Sequence, residues 1–226
     1  MASIDLSAFE KKIQVRGILL EDLDRLVELQ LKCFPGMKPW KKEQLESQLG
    51  IFSEGQICIE YEGRIVASSS NLILDFAMYD EWHDWREIAD AGYIRNHNPE
   101  GNTLYGIEIM VDPEYRGMRL ARRLYDARKK LAKEKNLMRI VLGGRIPGYA
   151  KHADTMTARE YVDKVINKSL IDPVLTTQLS NGFVLKRLLK SYMDPTRSRW
   201  GTRRFWSGTT STTSRTSTRS SSLRKQ

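Results

Sequence analysis

The stretch Leu104–Lys129, LYGIEIMVDPEYRGMRLARRLYDARK, decides how this chain folds. Its first eight residues are an apolar run typical of a buried strand, and Pro113 ends that run. From Gly117 to Lys135 apolar side chains recur every three or four residues, which predicts a helix with one core-facing stripe. The first N–H groups of a helix are unpaired, and arginines beside them complete an anion site. The stretch therefore predicts a strand, a phosphate-binding loop and a helix.

The segments on either side of this stretch extend it into a mixed sheet. Before it, a short strand and two amphipathic helices precede a hairpin whose turn falls at Glu62-Gly63. After it, the run LMRIVLGGRI at residues 137–146 predicts a strand buried on both faces. This order predicts an α/β fold in a single domain, with a mixed central sheet and helices on both faces. We place the domain at residues 12–202, after an N-terminal lead at residues 1–11.

Charge and composition separate a tail from this domain. The chain carries a net charge of +9, and six basic residues without any acidic one follow Thr202, which leaves +3 for residues 1–202. A nearly balanced body argues against a nucleic-acid partner, because such partners need a basic surface on the folded part. Residues 203–226 consist mainly of Ser, Thr and Arg, which predicts a disordered tail.

Several site classes lack their sequence signals. No apolar run is long enough for a membrane span, and the N-terminus has no apolar signal core, so we expect a cytoplasmic protein without a membrane partner. Cys33 and Cys58 form no CxxC pair, and the three histidines have no paired ligand spacing. We therefore expect no metal site and no disulfide.

The strand and loop at Tyr105–Gly117 resemble the central strand and loop of GNAT-superfamily N-acetyltransferases. In that family the loop follows the pattern Q/R-x-x-G-x-G/A; Arg116 and Ala121 match its ends, and Arg119 stands where a glycine is usual. The resemblance implies acetyl-CoA as co-substrate, with its pyrophosphate on the loop amides and its pantetheine on the strand. Either Arg119 offers its guanidinium to a phosphate, or the arginines here form a solvated helix face. The implied cofactor-binding residues are Ile109, Val111, Arg116, Gly117, Met118, Arg119, Leu120, Ala121 and Gln178.

Three longer blocks carry a closer resemblance. Residues 115–129, 143–149 and 172–183 resemble the GNAT domain that precedes a carbon-nitrogen hydrolase (nitrilase-type) domain in some bacterial and fungal proteins. Near Thr202 the resemblance stops, where those relatives continue with a strand like Leu-Leu-Glu-Trp. Codons for Arg204–Thr210, regrouped two bases later, can encode that peptide. Two interpretations of residues 203–226 stay open: a frame-shifted end, or a natural linker.

Acetyl transfer to an amine needs a base for the amine and a proton for the leaving thiolate. Glu108 is the only acid inside the apolar strand, and burial would raise its pKa toward neutrality, which suits a base. The alternative is a structural ion pair with an arginine such as Arg145. The family commonly places an acidic tyrosine where Gln178 stands, and glutamine can only hydrogen-bond a thiolate. Tyr149, Tyr161 or water is then left to donate the proton, and we take Glu108 and Tyr149 as the catalytic candidates.

The leading function is transfer of an acetyl group from acetyl-CoA to a primary amine, on a small molecule or on another amine-bearing acceptor. Excess acid in residues 75–90 predicts an acceptor that is cationic before deprotonation, unless the segment is simply a surface helix. A competing function is a non-catalytic acyl-CoA-binding domain that regulates a linked hydrolase. The oligomeric state is left open. The acidic residues of the segment are Asp75, Asp80, Glu81, Asp84, Glu87 and Asp90.

Overall fold

Five strands form one sheet at the centre of the computed structural model, which describes residues 6–79 and 85–189. The strands lie side by side in their order along the chain. Neighbours are antiparallel except the last two, which are parallel, so the sheet is mixed. The strands are β1 (Ile13–Gly17), β2 (Ile57–Tyr61), β3 (Arg64–Leu74), β4 (Thr103–Val111) and β5 (Arg139–Leu142).

Helices cover both faces of this sheet, as the sequence predicts. The order of the main elements agrees with the prediction, and a short helix in the N-terminal lead is an addition to it. The predicted hairpin is also present, because Glu62 and Gly63 both adopt positive φ angles (49° and 76°) in the turn between β2 and β3. The helices are α1 (Leu6–Lys12), α2 (Leu23–Cys33), α3 (Lys42–Phe52), α4 (Trp85–Ile88), α5 (Leu120–Glu134), α6 (Ala158–Ile166) and α7 (Leu175–Ser180).

Two apolar layers hold the helices onto the sheet. Leu120 and Leu124 of α5 belong to the larger cluster, which packs against one face. On the other face α2 contributes Leu26, which packs in a second cluster with Cys58 and Met110 of the strands. Because each helix buries a single stripe, the α/β layer arrangement follows from the helical periodicity of the sequence.

A small lobe after β5 has its own buried cluster. Asp172 is fully buried there, and its carboxylate accepts hydrogen bonds from the Gly148 amide (2.9 Å), the Tyr161 hydroxyl (3.0 Å) and the Leu175 amide (2.9 Å). The longest helix of this lobe is α6. The strand before the lobe is shorter than expected, because it ends at Leu142 rather than continuing through residue 146.

Some predictions fall outside the described residues. These are the domain end at residue 202, the tail at residues 203–226, and Asp80, Glu81 and Asp84 of the acidic segment. Among residues 6–79 and 85–189, no helix combines the length and apolar character needed to span a bilayer. The same residues contain no group of three His, Cys, Asp or Glu side chains placed to hold a metal ion.

Candidate functional site

β4 and β5 separate halfway along β4. Their parallel pairing ends at Gly106 opposite Leu142, whereas β4 continues through Val111. Along the second half of β4, the edge that faces away from β3 is therefore not covered by a strand of the described chain. An open strand edge offers unpaired peptide groups to an extended, amide-containing ligand.

The ladder between β3 and β4 decides which peptide groups face that open edge. The amide of Asp112 donates to the carbonyl of Val66 (2.9 Å), and in an antiparallel pair the bonded positions alternate. The peptide groups of Ile109 and Val111 therefore point away from β3. The thiol of Cys33 donates to the Val111 carbonyl at 3.2 Å, which leaves the two amides for another partner.

A β-bulge lies where the two strands separate. Asn71 of β3 stands opposite Gly106, and Ser70 stands opposite Glu108, so Ile107 is an extra residue in β4. Such a bulge bends the strand and re-aims the side chain that follows it. It sets the direction of Glu108, the one acid in this strand.

Arg128 of α5 anchors the bulge from the opposite face of the sheet. Its side chain is only 2% exposed; Nε donates to Ser69 Oγ (2.7 Å), and Nη2 donates to the carbonyls of Ser70 (3.3 Å) and Glu108. Burial lowers the pKa of Arg128 to about 10. Gly106 makes room for it, because a Cβ there would lie 2.8 Å from the guanidinium carbon. The bulged backbone is thus fixed by a buried cation.

The carboxylate of Glu108 is held by α2 and by the connection between α2 and α3. The indole Nε1 of Trp40 lies 3.0 Å from both carboxylate oxygens, and the amide nitrogen of Gln30 donates to Oε2 at 3.3 Å. Gln30 Oε1 in turn accepts from the Trp40 backbone amide (2.6 Å), so the two side chains support each other. Burial raises the pKa of Glu108 to about 7, against the hydrogen bond from Trp40 and the charges of Arg145 and Arg128.

Arg145 lies near Glu108 without pairing with it. Among the described residues, no carboxylate oxygen comes within 4.0 Å of its guanidinium. The guanidinium carbon stacks 4.7 Å from the centre of the Phe34 ring, and Nη1 donates to the sulfur of Met37 at 3.4 Å. The direct ion pair that was the structural alternative for Glu108 is therefore not formed.

The loop after β4 adopts left-handed backbone at two positions. Gly117 has φ of 87°, and Arg119 has φ of 59° with ψ of 18°, immediately before α5 begins at Leu120. Arg119 thus takes the conformation for which glycine is the usual residue, at a cost of about 1 kcal/mol or more. Met118 and Ala121 pack against the core below it.

Several peptide amides of this loop point outward. Within the described chain, the amides of Gly117, Arg119, Leu120 and Ala121 meet no hydrogen-bond acceptor. The side chains of Arg116 and Arg119 are both exposed beside them. Unpaired amides at the N-terminus of a 15-residue helix, with two free guanidinium groups, make a strong site for a phosphate.

Tyr149 and Gln178 both belong to the part of the chain that follows β5. The Tyr149 hydroxyl donates to the Met156 carbonyl at 3.1 Å, inside the lobe cluster. Gln178 is 3% exposed and hydrogen-bonded to Tyr125 of α5, and a Cβ on Gly144 would meet its amide at 2.6 Å. In this structure Gln178 therefore joins α7 to α5 and the residues after β5.

The acidic segment supplies less free charge than its sequence indicates. Asp90 pairs with Arg95 at 2.5 Å, and Asp75 accepts from the Ala77 amide at 3.1 Å and from Asn102 at 3.2 Å. These two carboxylates are thus engaged within the segment and its neighbours.

Sequence reasoning missed three residues that touch or support Glu108. Trp40 and Gln30 precede it by 68 and 78 residues, and no local pattern connects them to it. Arg128 had a signal, because it lies four residues after Leu124 and three before Leu131, on the buried stripe of α5. A cation in an apolar stripe indicates a buried acceptor on the facing strand.

Comparison with known proteins gives a consistent result. Residues 23–152 match the family model described as Acetyltransferase (GNAT) family.

Two relatives come from Bacillus subtilis (strain 168). The chain is 53% identical over 190 residues to "Probable hydrolase YhcX", covering 84% of this chain and 37% of that protein. It is 37% identical over 186 residues to "Uncharacterized N-acetyltransferase YkwB", covering 80% and 82%. The chain thus spans little more than a third of the first relative.

Solved structures share the fold. The loading GNATL domain of CurA from Lyngbya majuscula superposes with a TM-score of 0.74 at 19% identity, over 90% of this chain and 97% of that one. YncA from Salmonella typhimurium, a putative acetyltransferase solved with its cofactor acetyl-CoA, gives 0.53 at 12% identity, over 90% and 94%.

Proposed function

This chain belongs to the acetyltransferase (GNAT) family, and from that membership we propose that it transfers an acetyl group from acetyl-CoA to a primary amine. One observation carries the proposal. Glu108, a carboxylate with a pKa of about 7, lies in the half of β4 that has an open edge, and the loop that follows this strand is suited to phosphate. The site therefore combines a base for the acceptor with a binding surface for the donor.

The donor would bind along the edge and the loop. In this proposal the amides of Ile109 and Val111 hydrogen-bond the amide groups of pantetheine, as an added strand would. The loop amides and the guanidinium groups of Arg116 and Arg119 hold the pyrophosphate. Binding at these two places extends the thioester along β4 toward Glu108.

Glu108 would take the proton of the acceptor ammonium. A carboxylate with a pKa near 7 is half ionised at neutral pH, and it is then a stronger base than an ordinary glutamate. The free amine attacks the thioester carbonyl, a C–N bond forms, the C–S bond breaks, and the CoA thiolate leaves. The attacking nitrogen gives up its second proton to solvent water as it becomes an amide. Trp40 and Gln30 keep the carboxylate oriented during this step.

The proton for the thiolate has two candidate sources. Tyr149 is the side-chain candidate, and its hydroxyl would have to leave the Met156 carbonyl to reach the sulfur. Solvent water is the other.

A second candidate function is a non-catalytic acyl-CoA-binding domain linked to a hydrolase of the carbon-nitrogen (nitrilase) type. The observation that favours it is the 53% identity to a protein named a probable hydrolase, of which this chain spans 37%. In this alternative the donor site would bind acyl-CoA, and this binding would regulate the linked hydrolase. Glu108 would then transfer no proton.

Release of free thiol from acetyl-CoA, measured over a panel of primary amines, separates the two functions. The proposal expects amine-dependent release by the wild type, and release lower by a factor of about 10² to 10⁴ in Glu108→Gln. Thermal shift with acetyl-CoA follows donor binding separately; Arg116→Glu should abolish the shift, whereas Arg159→Gln, a surface variant on α6, should keep it. A full thermal shift without turnover of any amine would favour the non-catalytic domain.

A further inference from the structure

We infer that Arg145 binds a carboxylate of the substrate, so that the favoured acceptors are amines that also carry a carboxylate, such as amino acids. This inference rests on the proposed function and specifies its substrate class. It comes from a cation that the fold partly buries beside the proposed base and leaves without an anionic partner.

Arg145 differs from the ion-paired arginines of the described chain. Arg16 is bound by Asp22 and Glu60, and Arg95 is bound by Asp90. Arg145 is half-buried and has no such partner, and the loss of water around it lowers its pKa. Partial burial of an unpaired charge costs free energy, and a ligand carboxylate would recover it on binding.

The contacts of Arg145 leave its hydrogen-bonding edge free. The guanidinium carbon lies 4.7 Å from the centre of the Phe34 ring, and among the described residues the only hydrogen-bond acceptor for the guanidinium is the sulfur of Met37. A thioether is a weak acceptor, so most of the five N–H donors remain for a ligand. A planar guanidinium that is held against an aromatic ring is well suited to donate two parallel hydrogen bonds to a carboxylate.

The position of Arg145 connects this edge to the chemistry. It follows β5 at the point where β5 has separated from β4, and Phe34 and Met37 belong to the connection that also carries Trp40 to Glu108. Among the carboxylates of the described residues, Glu108 is the one whose negative charge raises the pKa of Arg145, against the effect of burial. A zwitterionic acceptor would therefore find a negative group for its ammonium and a positive group for its carboxylate in one site.

The first experiment compares matched acceptors in the thiol-release assay. Each amino acid is paired with its carboxamide, which keeps the amine and loses the negative charge. The wild type should show a KM about 10- to 100-fold lower for the amino acid, the range expected for a charged hydrogen-bonded pair. Arg145→Gln should abolish this preference, so that the KM for the amino acid equals the KM for its amide. Arg145→Lys should recover only part of the preference.

The second experiment tests whether the carboxylate lies on the acyl group instead. Dissociation constants for acetyl-CoA, malonyl-CoA and succinyl-CoA are measured on the wild type, on Arg145→Gln and on Arg159→Gln, which changes charge equally on the surface of α6. Selective weakening of the two carboxylated donors by Arg145→Gln would support the same chemistry with the donor as its source. If each donor has the same dissociation constant in all three proteins, and the wild type prefers amino acids to their amides, the carboxylate belongs to the acceptor.

Failure of the inference and failure of the proposed function give different results. If amides and amino acids are turned over equally and no carboxylated donor is preferred, the inference is overturned and acetyl transfer stands. If no amine is turned over, binding of the same amino acids and amides to the protein saturated with CoA is measured by calorimetry. A preference for amino acids that Arg145→Gln abolishes then supports the carboxylate site without catalysis, and equal or absent binding overturns it.

Discussion

The Glu108→Gln variant should reveal the ionisation of Glu108 when it is compared with the wild type across pH. Glutamine keeps an oxygen that can accept from the Trp40 indole, but it cannot take up a proton. The ratio of wild-type to variant kcat/KM is the useful quantity when the acceptor amine has a pKa below about 5. Such an amine stays neutral across the pH range used, and Glu108 takes the proton that its nitrogen loses during the attack.

The pKa of about 7 sets the size of the change. About nine-tenths of the wild type carries the carboxylate at pH 8 and about a tenth at pH 6. The ratio should therefore be large and constant above pH 8, about 10² to 10⁴, and should fall about tenfold for each pH unit below 7. Steady-state thiol release between pH 5.5 and 9 measures it. A ratio with no inflection between pH 6 and 8, or a ratio near one, would refute the assignment of Glu108 as the base.

The same substitution has a second, independent consequence for stability. The folded-state pKa of Glu108 is raised above its ordinary value of 4.5, so its protonated form is the stabilised one. That stability is fully present below about pH 4.5 and is lost as pH rises through about 7. The melting temperature of Glu108→Gln should thus exceed that of the wild type at pH 8, and the difference should shrink toward pH 5. A variant less stable than the wild type at pH 8 would contradict the burial argument.

Three other substitutions test the parts around this base. Arg119→Gly should raise the melting temperature because it relieves the left-handed backbone, while it weakens acetyl-CoA binding about tenfold by removing a guanidinium; a change in neither quantity would contradict a phosphate role for the loop. Arg128→Met should lower the unfolding free energy by about 3 kcal/mol in urea titration, because the buried carbonyls of the bulge lose their donor; a loss below 1 kcal/mol would mean that the bulge does not depend on it. Tyr149→Phe should lower kcat at least tenfold if its hydroxyl protonates the thiolate, whereas an unchanged kcat would assign that proton to water.

The sequence predicted the layers of the fold because they depend on local periodicity. The stripe of α5, the apolar run of β4 and the Glu62-Gly63 turn each carry their own signal. The length of β5 did not follow, since the expected strand runs through residues 143–146, whereas its pairing with β4 ends at Leu142. The short helix α1 was also not expected in the N-terminal lead.

The site was predictable in part for the same reason. The sequence alone shows an acid within an apolar strand and arginines at the start of a helix. It does not show which residues contact them in the folded chain. The bulge at Ile107 is a matter of register between two strands, and the amide plane of Gln30 reaches Glu108 only because α2 crosses β4. The sequence has Arg119 where glycine is usual, and nothing in the sequence indicated that an arginine would adopt the left-handed backbone conformation. The structure nevertheless gives Arg119 that conformation. Side-chain identity and backbone shape are separate requirements at that position.

The gap between β4 and β5 also affects how readily two copies of the chain could associate. A strand edge with unpaired peptide groups can recruit the edge of another chain, and most folds cover or shorten such edges. Here the uncovered edge includes Ile109 and Val111, the two residues that would bind pantetheine in the proposed function. In that proposal bound CoA would also cover this edge, and it would thereby protect the folded chain against self-association.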